Sequence, residues 1–135
     1  MSLSSDSAWV IDASMAMAWV VTRQSLQERQ LATVCMAGLA DRDAVVPDFW
    51  HLELANSLNR GERAGVLLPD VVQTFSQLLD SLPIETDTSA IAPRRQALQQ
   101  LARRHGLSAY DALYLDLALR RHATLATFDR RLADA

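Results

Sequence analysis

Ala8-Trp9-Val10-Ile11-Asp12-Ala13-Ser14 is the stretch that decides the fold, because four mostly apolar residues run directly into an acid that small residues follow. The apolar run predicts a short buried strand over residues 8–11. Asp12 then lies at the carboxyl end of this strand, where open α/β sheets place their ligands. A carboxylate at such a place needs a helix amino terminus, a partner group or a metal ion to compensate its burial. What Asp12 does therefore depends on which other acids meet it.

Short strand-like segments alternate with longer helical ones along the rest of the chain. Three further strands are predicted, over residues 44–46, 83–86 and 124–127. Helices are predicted over residues 14–21, 25–40, 48–60, 69–82, 90–105 and 108–122, with a short final helix from Asp129. Asp48 is expected to cap the third helix and Gly61 to end it. This alternation predicts the α/β class, with three layers in an α/β/α sandwich around a central parallel sheet of about four short strands.

Length and composition predict one globular domain without a membrane segment. The chain has 135 residues, half of them hydrophobic, so we expect a single domain over residues 8–135 and a flexible leader over residues 1–7. No apolar run approaches the roughly 20 residues of a membrane span, and the first seven residues lack the pattern of a signal peptide. The only cysteine, Cys35, lies among apolar residues and is interpreted as a core side chain. These features predict a cytoplasmic protein.

Charge gives no general argument for nucleic-acid binding, since the formal net charge is −3. All 13 basic residues are arginine, and arginine is the better planar donor for phosphates. Asp116 is interpreted as a surface charge. The arginine pairs are interpreted as parts of solvated faces, and they are Arg94-Arg95, Arg103-Arg104, Arg120-Arg121 and Arg130-Arg131.

Four acids are candidates to share one site. Asp12, Glu53 and Asp129 follow the first, second and fourth predicted strands, so the same end of the sheet collects them. Asp111 lies in the first turn of the helix before the fourth strand. Asp12 and Asp129 can each cap a following helix, and Asp111 matches a capping box with Ser108. Glu53 lacks such an explanation, because it lies mid-helix with no basic residue three or four positions away.

A carboxylate cluster of this kind indicates divalent-metal chemistry. Carboxylates held together repel one another, and a cation relieves that repulsion. Mg²⁺ and Mn²⁺ prefer such oxygen ligands, and bound ions of this kind activate water and stabilise the oxygens of a phosphodiester. Other chemistries lack support, because the sequence contains neither a glycine-rich phosphate loop nor a serine nucleophile elbow. The three histidines do not have the sequence spacing of zinc ligands, and they are His51, His105 and His122.

The sequence resembles the PIN domain in four segments that follow the family's order and spacing. These segments are Val10-Ile11-Asp12-Ala13-Ser14, Leu52-Glu53-Leu54-Ala55-Asn56-Ser57-Leu58, Gly106-Leu107-Ser108-Ala109-Tyr110-Asp111-Ala112-Leu113-Tyr114-Leu115 and Leu125-Ala126-Thr127-Phe128-Asp129-Arg130-Arg131-Leu132. The chain looks most like the VapC-like toxins of type II toxin–antitoxin systems. The resemblance implies a ribonuclease that depends on Mg²⁺, with Mn²⁺ as a substitute.

The resemblance also implies residue roles and partners. Members of the family commonly form homodimers and are inhibited by a small antitoxin protein. They usually continue into a fifth, edge strand, and this chain departs from that pattern because it stops at Ala135. The residues that match the family's site are Asp12, Glu53, Asp111 and Asp129 for the metal, with Ser14 and Thr127 in support.

The leading hypothesis is a toxin that acts as an endoribonuclease and hydrolyses RNA phosphodiesters with a metal-activated water. Arg130 or Arg131 would then contact the RNA backbone. Two alternatives stay open. One is a catalytically inactive PIN-like binding or interaction module whose acids are chiefly helix caps. The other is a metal-dependent nuclease on structured DNA, because nothing in the sequence identifies a reader of the 2′-hydroxyl.

Overall fold

A computed structural model describes residues 8–135, and the predicted leader over residues 1–7 lies outside this range. Four parallel strands form one sheet: β1 (Trp9–Ile11), β2 (Ala44–Pro47), β3 (Ile84–Asp87) and β4 (Thr124–Ala126). Their order is β3-β2-β1-β4. In register, Val10 of β1 pairs with Val45 of β2 and Leu125 of β4. Asp12 therefore follows an interior strand that has a neighbour on either side.

Helices connect the strands and cover the sheet, which confirms the predicted α/β/α sandwich. Each predicted segment is found, with shifts of up to four or five residues at its ends. The helices are α1 (Ala13–Met17), α2 (Leu26–Gly38), α3 (Asp48–Arg63), α4 (Pro69–Ser81), α5 (Arg95–His105), α6 (Ala109–Arg121) and α7 (Arg130–Asp134), with a 3-10 turn over Ala92–Arg94 before α5.

Three expectations about helix ends are wrong. The first helix stops at Met17 rather than near residue 21. The helix α3 continues through Gly61 to Arg63, and Asp48 is its first residue rather than its cap. The chain reverses instead at Gly65, which adopts a left-handed φ of 74°. Gly61 serves a different purpose, because a Cβ at this position would lie 2.7 Å from the side chain of Leu67.

The core lies between the sheet and the helices on its faces. Val10, Ile11, Val45 and Val46 are almost completely buried, as expected for strands covered on both sides. Cys35 is also buried in this core, and its burial raises the pKa of the thiol to about 11. The interpretation of Cys35 as an inert core side chain is therefore confirmed.

Asp116 is buried, so its interpretation as a surface charge is wrong. It accepts hydrogen bonds from Arg94 and Arg120, and Arg120 also donates to Asp87 of β3. The solvated-face interpretation of the arginine pairs fails for these members, because their guanidinium groups tie α6 to the 3-10 turn and to the edge strand. The ion pairs of this network are Arg94–Asp116, Arg120–Asp116, Arg120–Asp87, Arg121–Asp87 and Arg121–Glu85.

Within residues 8–135, every helix is too short or too polar to cross a bilayer.

Candidate active site

Asp12 is fixed at the carboxyl end of β1 by three hydrogen bonds. It is the N-cap of α1, and its Oδ1 accepts from Met15 N at 3.0 Å and from Ser14 Oγ at 2.7 Å. Its Oδ2 accepts from the hydroxyl of Thr127. Only 6% of Asp12 is exposed. Capping is therefore part of what Asp12 does, and Ser14 and Thr127 both support its carboxylate.

The loop after β4 is held against the same strand end. Asp12 N donates to the carbonyl of Ala126 at 3.2 Å, which extends the pairing of β1 with β4. Phe128 N donates to Ser14 Oγ at 3.3 Å, and Asp129 N donates to Thr127 Oγ1 at 2.9 Å. The two polar residues assigned a supporting role thus bind both chain segments that carry Asp12 and Asp129.

Glu53 lies on α3 and accepts a hydrogen bond from the hydroxyl of Tyr114 on α6. Tyr114 is 1% exposed, whereas Glu53 is half-buried. No local partner for Glu53 is evident in the sequence, because the partner stands on another helix. One signal was present: Tyr114 follows Asp111 by three positions, which places both residues on one helix face.

Asp111 and Asp129 lie at the amino ends of two further helices. Ser108 caps α6 by accepting from Asp111 N at 3.1 Å, so this half of the predicted capping box is found. Asp129 caps α7, and its Oδ1 accepts from Leu132 N at 3.2 Å. Both carboxylates are half-buried. The capping interpretation of Asp129 is thereby confirmed.

The four acids act electrostatically on one another. Burial is the main cause that raises the pKa of Asp12, Glu53 and Asp111. The charge of Asp111 adds to the increase at Asp12 and Glu53, and the charge of Asp129 adds to that at Asp111. Hydrogen bonds from Thr127, Met15 and Ser14 at Asp12, and from Tyr114 at Glu53, act in the opposite direction. The fold therefore gathers negative charge that a cation would neutralise.

The donor set matches a hard divalent cation in its chemistry. It consists of carboxylate oxygens, with the hydroxyls of Ser14 and Thr127 beside them, and Mg²⁺ and Mn²⁺ prefer oxygen ligands. In the present side-chain positions, however, no three Asp, Glu, His or Cys residues between residues 8 and 135 are arranged to hold one metal ion. The oxygens of Asp12 and one oxygen of Glu53 face hydrogen-bond donors instead. Ligation by several acids requires some of these side chains to turn.

Two features near the acids were missed by the sequence analysis. Arg23 lies 4.7 Å from the centre of the Phe128 ring and is paired with Glu28 at 3.0 Å. Phe49 and Tyr110 stack with their ring centres 4.9 Å apart and their planes 12° from parallel. Neither pair is predictable locally, because each joins separate elements of the fold. Arg130 and Arg131, by contrast, are exposed at the start of α7 as predicted.

Comparison with known proteins identifies the family. The model of the PIN domain matches residues 9–135. The chain belongs to the PIN domain family. PIN domains are generally nucleases that bind nucleic acid and use divalent metals, so membership suggests a metal-dependent nuclease. No curated protein matches the chain.

A solved structure shares the PIN fold with this chain. It is the crystal structure of PAE2754 from Pyrobaculum aerophilum, which matches with a TM-score of 0.64 and 20% sequence identity. The match covers 93% of this chain and 77% of the chain in that structure. At this identity the likeness concerns the arrangement of the backbone, and it agrees with the sheet and helices described above.

Proposed function

We propose that this PIN domain is a metal-dependent endoribonuclease and acts as the toxin of a toxin–antitoxin pair. The observation that carries the proposal is the geometry at the ends of β1 and β4: the buried carboxylate of Asp12 accepts from the hydroxyl of Thr127, to which Asp129 N also donates. The charge of Asp111 acts on both Asp12 and Glu53. The four acids come from four separate parts of the chain, and burial raises the pKa of Asp12, Glu53 and Asp111. Gathering partly buried carboxylates costs free energy, so such a group indicates a functional site.

The four acids would hold Mg²⁺, or Mn²⁺ in its place. When bound, the ion supplies an activated water for attack on the phosphodiester and stabilises negative charge on the phosphate oxygens. Ser14 and Thr127 orient the Asp12 carboxylate through their hydroxyls. Tyr114 orients Glu53. Arg130 and Arg131, which are exposed next to Asp129, would contact the RNA backbone.

The proposed partners are a second copy of the chain and a small antitoxin. Support comes from exposed apolar side chains, which are typical of surfaces that bind another protein. The helix α2 alone presents Leu26, Leu31 and Val34, each about half exposed or more. An antitoxin that covers the acids would also keep the nuclease inactive in the cell.

The variant Asp12→Asn tests the proposal. The amide still accepts from Met15 N and preserves the cap, whereas the negative charge is lost. We expect cleavage of single-stranded RNA in Mg²⁺ or Mn²⁺ by the wild type and none by Asp12→Asn, with unchanged circular dichroism. Asp134→Asn, an exposed acid at the end of α7, is the matched control and stays active. Cleavage by Asp12→Asn that still disappears with EDTA contradicts the assignment, and a matching DNA oligonucleotide tests the preference for RNA.

Expression in a bacterial host tests the toxin role separately. Growth should stop with the wild type and continue with Asp12→Asn, and sequencing of RNA 5′ ends should reveal discrete cuts only in the first strain. Equal growth of both strains without new RNA ends contradicts the toxin role, even if the purified protein cuts RNA.

A second candidate function is a PIN-like binding module without catalysis. The specific observation in its favour is that Asp12 and Asp129 both cap helices. Isothermal titration calorimetry with MnCl₂ distinguishes the two functions. A nuclease binds Mn²⁺ in the wild type and loses binding in Asp12→Asn, whereas a module gives no heat that depends on Asp12.

A further inference from the structure

An apolar cavity lies between α5, α6 and the start of α3, and α3 and α6 also carry Glu53 and Asp111. Its volume is about 180 Å³. Its walls are almost wholly apolar, and one arginine is among the lining residues. The lining residues that matter here are Phe49, Ile91, Leu98, Tyr110, Leu113 and Arg95.

The aromatic walls of this cavity belong to the helices that position the acids. Tyr110 directly precedes Asp111 on α6, and Phe49 lies one turn before Glu53 on α3. The Tyr110 ring stacks on Phe49, yet 62% of Tyr110 remains exposed. A large part of this ring is therefore free to stack on another flat group next to the acids.

The aromatic wall of the cavity favours a flat ligand, and the charge of Arg95 favours an anionic one. Arg95 forms no ion pair with any residue between 8 and 135, in contrast to Arg94, which is bound to Asp116. Nucleobases have apolar faces that stack on tyrosine, and each base is attached to a phosphate that arginine binds. A cavity of this size accepts one planar group rather than a helix of a protein partner.

We propose that this cavity, the nucleobase pocket, binds an unpaired base of the RNA beside the phosphodiester that is cut. Tyr110 supplies the stacking surface and Arg95 meets an adjacent phosphate. The inference rests on the proposed ribonuclease function and adds to it a site that selects single-stranded RNA. Tyr110 is a substrate-binding residue in this proposal and takes no part in the chemistry.

Fluorescence of 2-aminopurine in a short single-stranded RNA tests the pocket. The protein carries Asp12→Asn so that the RNA stays intact in Mg²⁺, and Tyr110→Ala, Tyr110→Phe and Leu119→Ala are added singly. Stacking on Tyr110 quenches the probe. We expect Tyr110→Ala to weaken binding roughly 5- to 150-fold, the value of one base–aromatic stack, and to abolish the quenching.

Two controls make the result specific. Tyr110→Phe keeps the ring and should bind like the parent protein. Leu119→Ala removes an exposed apolar side chain elsewhere on α6 and should also bind like the parent. An RNA with an abasic site in place of each base should bind weakly and be insensitive to Tyr110→Ala.

Unchanged affinity of Tyr110→Ala overturns the pocket and leaves the cavity to a protein segment. Equal loss of affinity for the intact and the abasic RNA also overturns it, because the ring then acts on something other than a base. Cleavage by the wild type is measured in parallel. If the wild type cuts RNA but Tyr110→Ala does not change the affinity for RNA, the pocket alone is refuted. If the wild type neither binds nor cuts RNA, the proposed function is refuted as well.

Discussion

The buried hydroxyl of Tyr114 donates a hydrogen bond to the Glu53 carboxylate and thereby joins α6 to α3 across 61 positions of the chain. Burial raises the pKa of Glu53, and this hydrogen bond opposes the increase. Burial and the neighbouring carboxylate also raise the pKa of Tyr114, so its hydroxyl stays a donor. The tyrosine therefore keeps Glu53 both oriented and easier to ionise.

Replacement of Tyr114 by phenylalanine should weaken metal binding without loss of the fold. The variant loses a hydrogen bond to a charged group, which predicts a decrease of about 1–3 kcal/mol in the free energy of unfolding. The pKa of Glu53 rises further, so Mn²⁺ binding fails at a higher pH than in the wild type. Calorimetry across a pH series and urea denaturation measure both effects. Tyr110→Phe is the control, and equal Mn²⁺ affinity at every pH would contradict the assigned role of Tyr114.

Divalent cations should stabilise the protein at neutral pH and lose this effect in acid. Asp12, Glu53 and Asp111 have raised pKa values in the fold, so the folded chain binds protons more tightly than the unfolded one. Protonation of these acids favours folding at low pH, and this contribution is lost as the pH rises through the raised values. A cation then takes the place of the protons, with a gain of about 2.7 kcal/mol at 100 times its Kd.

Thermal unfolding in MgCl₂, MnCl₂ or EDTA at matched ionic strength measures this effect. The melting temperature should rise with either cation at neutral pH and be unaffected by them in acid. Asp12→Asn should show little of the gain. An identical increase in wild type and Asp12→Asn would place the bound cation elsewhere.

Loss of the Asp116 charge should destabilise the protein more than loss of a surface acid. Asp116→Asn removes the buried negative charge that Arg94 and Arg120 share, while Arg120 keeps Asp87 and both guanidinium groups keep some access to water. The expected cost is about 1–3 kcal/mol, below that of a fully buried pair. Glu85→Gln, which breaks the exposed pair with Arg121, should cost less than about 1 kcal/mol. Urea denaturation measures the free energy of unfolding of both variants. Equal decreases would show that the burial of Asp116 does not contribute to stability.

An alanine at position 38 should destabilise the protein although alanine favours helices. The added Cβ would overlap the indole ring of Trp9, which packs against Gly38 at the end of α2. Overpacking of this kind costs about 1–3 kcal/mol, more than the roughly 1 kcal/mol gained in helix propensity. Thermal unfolding gives the net effect. A Gly38→Ala protein that is more stable than the wild type would show that the indole moves aside readily.

The parts of the fold that follow local patterns were predictable, and the parts that depend on distant partners were not. The short apolar runs around Val10 and Val45 identified the strands, because both faces of a parallel sheet are buried. The burial of Asp116 was not predictable because one of its two partners, Arg94, stands 22 positions away on the 3-10 turn. The other partner, Arg120, lies four positions further along α6, and this spacing is the one local signal of an ion pair. Local spacing contains no information about Arg94 or about Asp87, to which Arg120 also donates.

The same division holds for the candidate site. The acids were found from their positions after predicted strands and from the family resemblance. The hydrogen bond from Thr127 to Asp12 depends on the pairing of β1 with β4, which the sequence leaves open. The stacking of Phe49 on Tyr110 depends likewise on how α3 approaches α6. Geometry of this kind needs the assembled tertiary structure.

The pairing of β1 with β4 has a consequence for the order of assembly during synthesis. β1 leaves the ribosome well before its neighbour β4, which lies far along the chain. Until β4 has emerged and docked, Asp12 lacks the hydroxyl of Thr127 and the acid Asp129 is missing from the group. The group of four acids is therefore completed only late in the folding of the domain.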